Sequence, residues 1–139
     1  MPLNTSTISG NLTADPELRF TAGGSSVVNF TVASTERVYD RSANEWKDGP
    51  KLFLNCFAWK NAGAENIAES LTKGAGVIVT GKLRQRSFTT DDGNKRTVIE
   101  LEVDEIGPSL RNAQAKPVKA ARGGEYANQR TDSWAAAGA

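Results

Sequence analysis

The chain has 139 residues, of which 38% are hydrophobic and 24% charged, and its formal net charge is +1. It has no histidine and one cysteine, which excludes His/Cys zinc sites, Ser-His or Cys-His nucleophilic pairs and an intrachain disulfide. No apolar run approaches the roughly 18 residues of a membrane span, and the first residues lack the pattern of a signal peptide. We therefore expect a cytoplasmic protein with no catalytic residues, no metal and no cofactor.

Charge is distributed unevenly along the chain. Residues 1–112 carry 13 Lys and Arg against 14 Asp and Glu, whereas residues 113–139 carry 4 against 2. A domain so close to neutral binds nucleic acid only where its cations are concentrated on one face, because phosphate affinity depends on local Lys and Arg contacts.

The first half of the chain has the pattern of strands separated by turns. Three segments with alternating or continuous apolar residues predict strands, namely 5–12, 28–32 and 52–59. Between the first two lies a short extended piece at 17–20, and Gly23-Gly24 closes a hairpin after it. The polar stretch 40–50 predicts a long hairpin loop.

The second half contains one helix and two further strands. A short helix is predicted over 62–71, with Asn61 as its N-cap and Gly74 after its end. The two strands are predicted at 77–88 and 97–106. The Asp92-Gly93 pair between them is a hairpin signal. Three strands, one helix and two strands is the order of the five-stranded OB-fold Greek-key barrel, an all-β fold with a short helix between strands 3 and 4.

Beyond residue 112 no apolar periodicity remains that could bury a face. We therefore predict a single domain over 1–112 and a flexible C-terminal tail over 113–139. The cations of the tail are Lys116, Lys119, Arg122 and Arg130, and Trp134 is the one large apolar side chain near its end.

The strand at 82–88 carries cations and a ring on one face, because side chains alternate across a strand. These residues are Lys82, Arg84, Arg86 and Phe88. Such a row suits single-stranded nucleic acid, whose bases stack on rings while Lys and Arg contact the backbone. The alternative is a solvated strand face in which Glu100 and Glu102 are cross-strand ion partners of the cations.

Other aromatic residues are candidates for the same surface. Trp46 lies in the polar loop, where its ring either stacks on a base or packs back onto the barrel. Trp59 ends a strand before Lys60, so its ring lies either at the barrel rim or in the core, and Tyr39 begins the loop. Cys56 is expected to act as a small core hydrophobe. The phenylalanines within apolar runs are predicted to be core residues: Phe30, Phe53 and Phe57.

Four segments, in order, resemble the bacterial single-stranded DNA-binding protein family of tetrameric OB-fold proteins. They are residues 8–20, 32–36, 68–74 and 77–88. The likeness extends from residue 4 to about residue 112. Three further segments look most like the actinobacterial branch of that family, at 44–49, 52–54 and 103–111.

The resemblance implies sequence-tolerant binding and protection of single-stranded DNA during replication, recombination and repair. It also implies a homotetramer built as a dimer of dimers, with the strand at 5–12 in an isologous interface, and a nucleoid-associated location in the cytoplasm. Phe88 takes the position of a family base-stacking aromatic. The expected DNA-binding residues are Tyr39, Trp46, Trp59, Lys60, Lys73, Lys82, Arg84, Arg86 and Phe88.

The chain also departs from the family pattern. Leu52 and Ala58 stand where many relatives carry aromatics, so Trp46 and Trp59 are candidates to replace them. The tail lacks the family's acidic Pro-Phe tip, so docking of partner proteins through it is doubtful. In actinobacterial relatives the segment after the last strand adds a strand that clamps neighbouring subunits, and here Pro117 would end such a strand.

Two other functions remain open. The near-neutral domain and the two missing aromatics are compatible with an OB-type module that docks proteins. An RNA-binding or translational-regulator OB domain is the third alternative, although no residue pattern points to recognition of a 2′-hydroxyl.

Overall fold

The computed structural model describes residues 4–120. The strands are β1 (Ser6–Leu12), β2 (Glu17–Phe20), β3 (Ser26–Asp40), β4 (Glu45–Trp59), β5 (Gly76–Thr89) and β6 (Lys95–Pro108). Between β4 and β5 lie a 3-10 turn (Lys60–Ala62) and the helix α1 (Ala64–Ser70). In this part of the chain no helix is long and apolar enough to cross a membrane.

Five of the strands form a closed barrel in the order β1-β5-β6-β4-β3. A short β1–β3 pairing at Asn11↔Ala33 and Leu12↔Val32 closes it. β4 and β6 run parallel, with Cys56 opposite Leu101, and the other neighbours are antiparallel. β2 pairs with residues 26–29 of β3, on the edge of β3 that faces away from β4. The predicted OB-fold barrel with one helix is confirmed.

The core consists of the inward side chains of the barrel strands and one face of α1. Alternation along the strands places every second residue inside, which is why the period-two pattern predicted them correctly. The buried strand residues include Leu12, Val28, Phe30, Val32, Cys56, Ala58, Val77, Val79, Leu101 and Val103. Ala64, Ile67 and Leu71 close the cluster from the helix.

The prediction of a long hairpin loop at 40–50 is wrong. β3 and β4 continue beyond the barrel as a two-stranded ribbon that stays paired as far as Asp40↔Glu45, so the turn occupies only 41–44. Asn44 adopts φ 54° in this turn. The sequence pattern did not predict these strand segments, because a ribbon outside the barrel has solvent on both sides and needs no apolar alternation. β5 and β6 form a second ribbon of the same kind.

The helix begins later than predicted. α1 starts at Ala64 after Gly63, whose φ of 90° redirects the chain out of the 3-10 turn, and no side-chain cap is made there. The prediction of Asn61 as N-cap is therefore wrong. The helix ends at Ser70, and Gly74 lies in the following turn, where its N–H donates to the Leu12 carbonyl at 2.8 Å.

The predicted tail is only partly within the described residues. Residues 113–120 form neither helix nor strand and line a groove whose other wall includes Asn66 and Glu69 of α1. The remainder, 121–139, lies outside the described residues and includes Arg122, Arg130 and Trp134.

Candidate nucleic-acid interface

The outward side chains of β4, β6 and β5 form one continuous surface, which we call the outer face. Cys56 and Leu101 point into the core, so their neighbours Asn55, Phe57 and Glu100 point outward. The strand register then places Asn55, Glu100 and Arg84 side by side across the three strands. Phe57, Glu102 and Lys82 form the next such line.

An aromatic row follows β4 on the outer face. Phe53 is 61% exposed, while Phe57 is half-buried and packs edge-on against Trp59, with ring centroids 6.2 Å apart. Trp59 is at the barrel surface rather than in the core. Of the three phenylalanines predicted to be core residues, Phe30 is buried, but Phe53 and Phe57 are not. Asn55 could have indicated this orientation from the sequence. A polar residue within an apolar strand faces solvent, and Phe53 and Phe57, each two residues away, lie on the same side.

A cation row follows β5 on the same face. Lys82, Arg84 and Arg86 project outward with Phe88, and the Arg86 guanidinium carbon lies 5.4 Å from the Phe88 ring centroid. That distance is within the range of a cation–π contact. The structure thus brings the four predicted residues of this strand together. β6 separates them from the aromatic row of β4.

Each cation of that row has a carboxylate partner on β6. Arg84 Nε lies 2.8 Å from Glu102 Oε1, and Arg86 Nε lies 3.1 Å from Glu100 Oε1. Lys82 Nζ lies 3.9 Å from Asp104 Oδ1. The two glutamates are the ion partners that the alternative interpretation of the sequence expected, and Asp104 was not identified from the sequence.

Tyr39 and Trp46 form a ring pair on the β3–β4 ribbon. They are directly opposite each other, with centroids 5.3 Å apart and ring planes tilted by 60°. The Tyr39 hydroxyl donates to Asn44 Oδ1. Trp46 therefore packs on Tyr39 and not on the barrel, and it remains 61% exposed. An irregularity between Thr35 and Arg37 gives β4 an extra residue, which turns Trp46 to the side of the outer face.

The two remaining predicted lysines lie in different places. Lys60 follows Trp59 in the 3-10 turn and lines a groove together with Trp59 and Glu102, so it adjoins the outer face. Lys73 lies in the turn after α1, where its backbone N–H donates to Asp15 Oδ1 at 2.7 Å. It is on none of the strands of the outer face.

Cys56 lies beneath this surface in the core. Its Sγ donates to the Leu54 carbonyl at 3.6 Å, and burial raises the pKa of the thiol to about 12. The thiol is therefore protonated at neutral pH, in agreement with its expected role as a small core hydrophobe.

Comparison with known proteins identifies the family. The model of the single-strand binding protein family matches residues 3–109. The chain belongs to this family. The single-stranded DNA-binding protein of Mycobacterium leprae is 70% identical over 120 residues, which cover 86% of this chain and 71% of that protein. The protein of the same name from Paenarthrobacter aurescens is 57% identical over 148 residues, covering 95% and 86%. These relatives confirm the resemblance to the actinobacterial branch.

Solved structures of single-strand binding proteins have the same fold. The small single-stranded DNA-binding protein from Streptomyces coelicolor is 32% identical with a TM-score of 0.67, and the match covers 79% of this chain and 97% of that one. The Plasmodium falciparum SSB in its complex with ssDNA is 24% identical with a TM-score of 0.66, covering 78% and 94%. The second likeness establishes the fold alone.

As a single-strand binding protein, the chain carries the rings of β4 at other positions than the two that the resemblance led us to expect. Ala58 is buried and Leu52 is exposed, at the two positions where the resemblance led us to expect aromatics. Phe53 and Phe57 supply rings on the same strand, one residue away from each. Because successive side chains of a strand point to opposite sides, Leu52 and Ala58 belong to the side of β4 that carries the buried Cys56, whereas Phe53, Phe57 and Trp59 share the outer face.

Proposed function

We propose that the chain binds and protects single-stranded DNA, without sequence preference, across the outer face. The observation that carries this proposal is the presence of an aromatic row and a cation row on the same face of three adjacent strands. Because neighbouring strands are spaced by about 4.8 Å, the two rows are about 10 Å apart. Bases would stack along β4 while the backbone follows β5.

Each part of the outer face has a role in this proposal. The stacking rings are Phe53, Phe57, Trp59 and Phe88, and the Tyr39–Trp46 pair extends the path onto the ribbon. The phosphate contacts come from Lys60, Lys82, Arg84 and Arg86. Rings accept any base because every base has a π-face, so this surface favours sequence tolerance. Relatives named single-stranded DNA-binding proteins support the same function. We further propose that the chain acts in replication, recombination and repair, without enzymatic activity.

Substitutions in the cation row test the proposal. Arg84→Ala and Arg86→Ala should each flatten the dependence of log affinity on log salt by about 0.7, the value for one phosphate contact on a single strand. Phe88→Ala should weaken poly(dT) binding by about 1–3 kcal/mol, the usual worth of one stacked base. Arg111→Ala, which removes a cation beyond the end of β6, is the matched control. An unchanged slope for both arginines would remove them from the phosphate path.

The ion pairs of the cation row favour a second candidate, an OB module that docks proteins and binds DNA weakly. Cations that are neutralised by carboxylates attract phosphate less strongly than unpaired ones. A poly(dT) titration separates the two functions, because strong quenching of tryptophan fluorescence that weakens with salt indicates DNA binding. Equal affinity for poly(rU) would extend the function to RNA.

We infer that the chain assembles as a homotetramer, built as a dimer of dimers through β1. Residues 6–9 of β1 pair with β5 on one edge, whereas the β1–β3 pairing reaches only Asn11 and Leu12. The other edge of Ser6–Ser9 therefore has no strand partner within residues 4–120, and such an edge suits an isologous pairing of two copies. We also place the protein in the cytoplasm, on nucleoid DNA. A stable monomer in sedimentation equilibrium at micromolar concentration would contradict the assembly.

A further inference from the structure

The three ion pairs between β5 and β6 lie on the path that the proposed function assigns to the DNA backbone. They join Lys82 to Asp104, Arg84 to Glu102 and Arg86 to Glu100. The six side chains together carry no net charge. Phosphates approaching this row therefore meet cations that already have anionic partners.

The carboxylates of the two arginine pairs lie deeper than the guanidinium groups. The side chains of Glu100 and Glu102 are 19% and 30% exposed, against 60% and 43% for Arg86 and Arg84. The glutamates stand between the two rows, with Asn55 and Phe57 as their neighbours on β4. An arginine can swing outward to a phosphate on its long side chain, whereas the glutamate it leaves remains half-buried and loses its partner. That loss opposes binding.

We propose that Glu100 and Glu102 set the strength and the salt dependence of single-stranded DNA binding by competing with phosphates for Arg86 and Arg84. This inference rests on the proposed function of the outer face. The carboxylates act on the DNA through the arginines, so each is an affinity-setting residue and not a DNA contact. Binding then includes the opening of two ion pairs, and removing a carboxylate should strengthen it.

Neutral replacements of the glutamates test this inference. Glu102→Gln and Glu100→Gln should each raise poly(dT) affinity in 0.2 M salt by about 1.4-fold to fivefold, the range expected when one partly exposed ion pair no longer competes. The dependence of log affinity on log salt should steepen, because salt also weakens the competing ion pair of the unmodified chain, which partly offsets the loss of phosphate attraction, and the variant lacks that pair. Glu105→Gln is the matched control: Glu105 lies on the same strand, opposite Thr80, and is in none of the ion pairs of the described residues.

A double-mutant cycle separates competition for the arginine from direct repulsion of the DNA. In an Arg84→Gln background the gain from Glu102→Gln should fall to the size of the Glu105→Gln control, since no arginine remains to be released. A gain that persists in full would show direct repulsion and overturn the inference. The pair Arg86 and Glu100 gives an independent second cycle if one variant fails to fold, as judged by its circular dichroism.

Two further results would also overturn the inference. A loss of affinity in Glu102→Gln would mean that the carboxylate holds Arg84 in position for the DNA. A gain no larger than that of Glu105→Gln would mean that only overall charge matters. Failure of the unmodified chain to bind poly(dT) would instead contradict the proposed function itself, so the two failures are distinguishable.

Discussion

Phe30 and Phe53 show how the side of a strand decides the role of a residue. Both lie in apolar stretches, but Phe30 points into the barrel, opposite Cys56, whereas Phe53 points outward, opposite Ala33. The run 52–59 is apolar on both sides, so its hydrophobicity alone could not separate core from surface. In the proposed function the exposed rings on β4 stack on bases, while the inward positions of this strand serve packing.

Alanine substitutions of these two phenylalanines should affect different properties, stability for Phe30 and DNA affinity for Phe53. Phe30→Ala should lower the free energy of unfolding by about 3–5 kcal/mol, because it opens a cavity in the core. Phe53→Ala should change stability by less than about 0.5 kcal/mol. It should nevertheless weaken poly(dT) binding by about 1–3 kcal/mol through the loss of one stacked base. Urea unfolding and fluorescence titration measure the two quantities, and an unchanged affinity for Phe53→Ala would exclude this ring from the DNA path.

The elements differ in how well the sequence predicts them. The barrel strands could be predicted because one side of each is buried, so Val28, Phe30 and Val32 alternate with polar residues. The two ribbons could not be delimited in this way, since neither side of a ribbon is buried beyond the barrel. The ion pairs were only partly predictable, because they depend on the strand register, which places Arg84 opposite Glu100 but within reach of Glu102.

Gly81 lies on β5 at the irregularity of the β5–β6 pairing, against the backbone of Glu102. A Cβ atom at this position would lie 2.1 Å from the Glu102 carbonyl oxygen, which belongs to the backbone and cannot move aside. Gly81→Ala should therefore lower the free energy of unfolding by at least about 1–3 kcal/mol, the usual cost of overpacking.

Gly107→Ala is the control for this prediction. It introduces the same methyl group near the end of β6, where no heavy atom outside the neighbouring residues lies within 4 Å. Urea unfolding of the two variants at equal protein concentration provides the comparison. Equal midpoints would show that the β5–β6 contact at Gly81 tolerates a side chain.

At the scale of the whole molecule, the near-neutral charge of residues 1–112 gives no indication that charges and rings are segregated on the surface. The sequence order predicted the barrel, but the net charge could not reveal that rings, carboxylates and cations lie in three parallel rows. Those rows depend on the pairing of β4 with β6, whose residues 55 and 100 are far apart in sequence. The proposed DNA path thus depends on the closed barrel rather than on any one segment.

The predicted domain boundary at residue 112 has a test at this scale. Deleting residues 113–139 should leave the affinity for poly(dT) in low salt within about tenfold of the full chain, roughly 1.4 kcal/mol. The reason is that the outer face is complete without them. A larger loss, or dissociation into dimers, would show that the segment beside α1 is structural and that the domain extends past residue 112.

The most direct test of the central claim places a single reporter on the outer face. The chain has three tryptophans, so Trp46→Phe together with Trp134→Phe leaves only Trp59, beside Phe57. Poly(dT) should quench the fluorescence of Trp59 strongly, and added salt should restore it as the DNA dissociates. If a labelled oligonucleotide binds this variant, as measured by anisotropy, while the emission of Trp59 stays unchanged, single-stranded DNA does not cross the outer face.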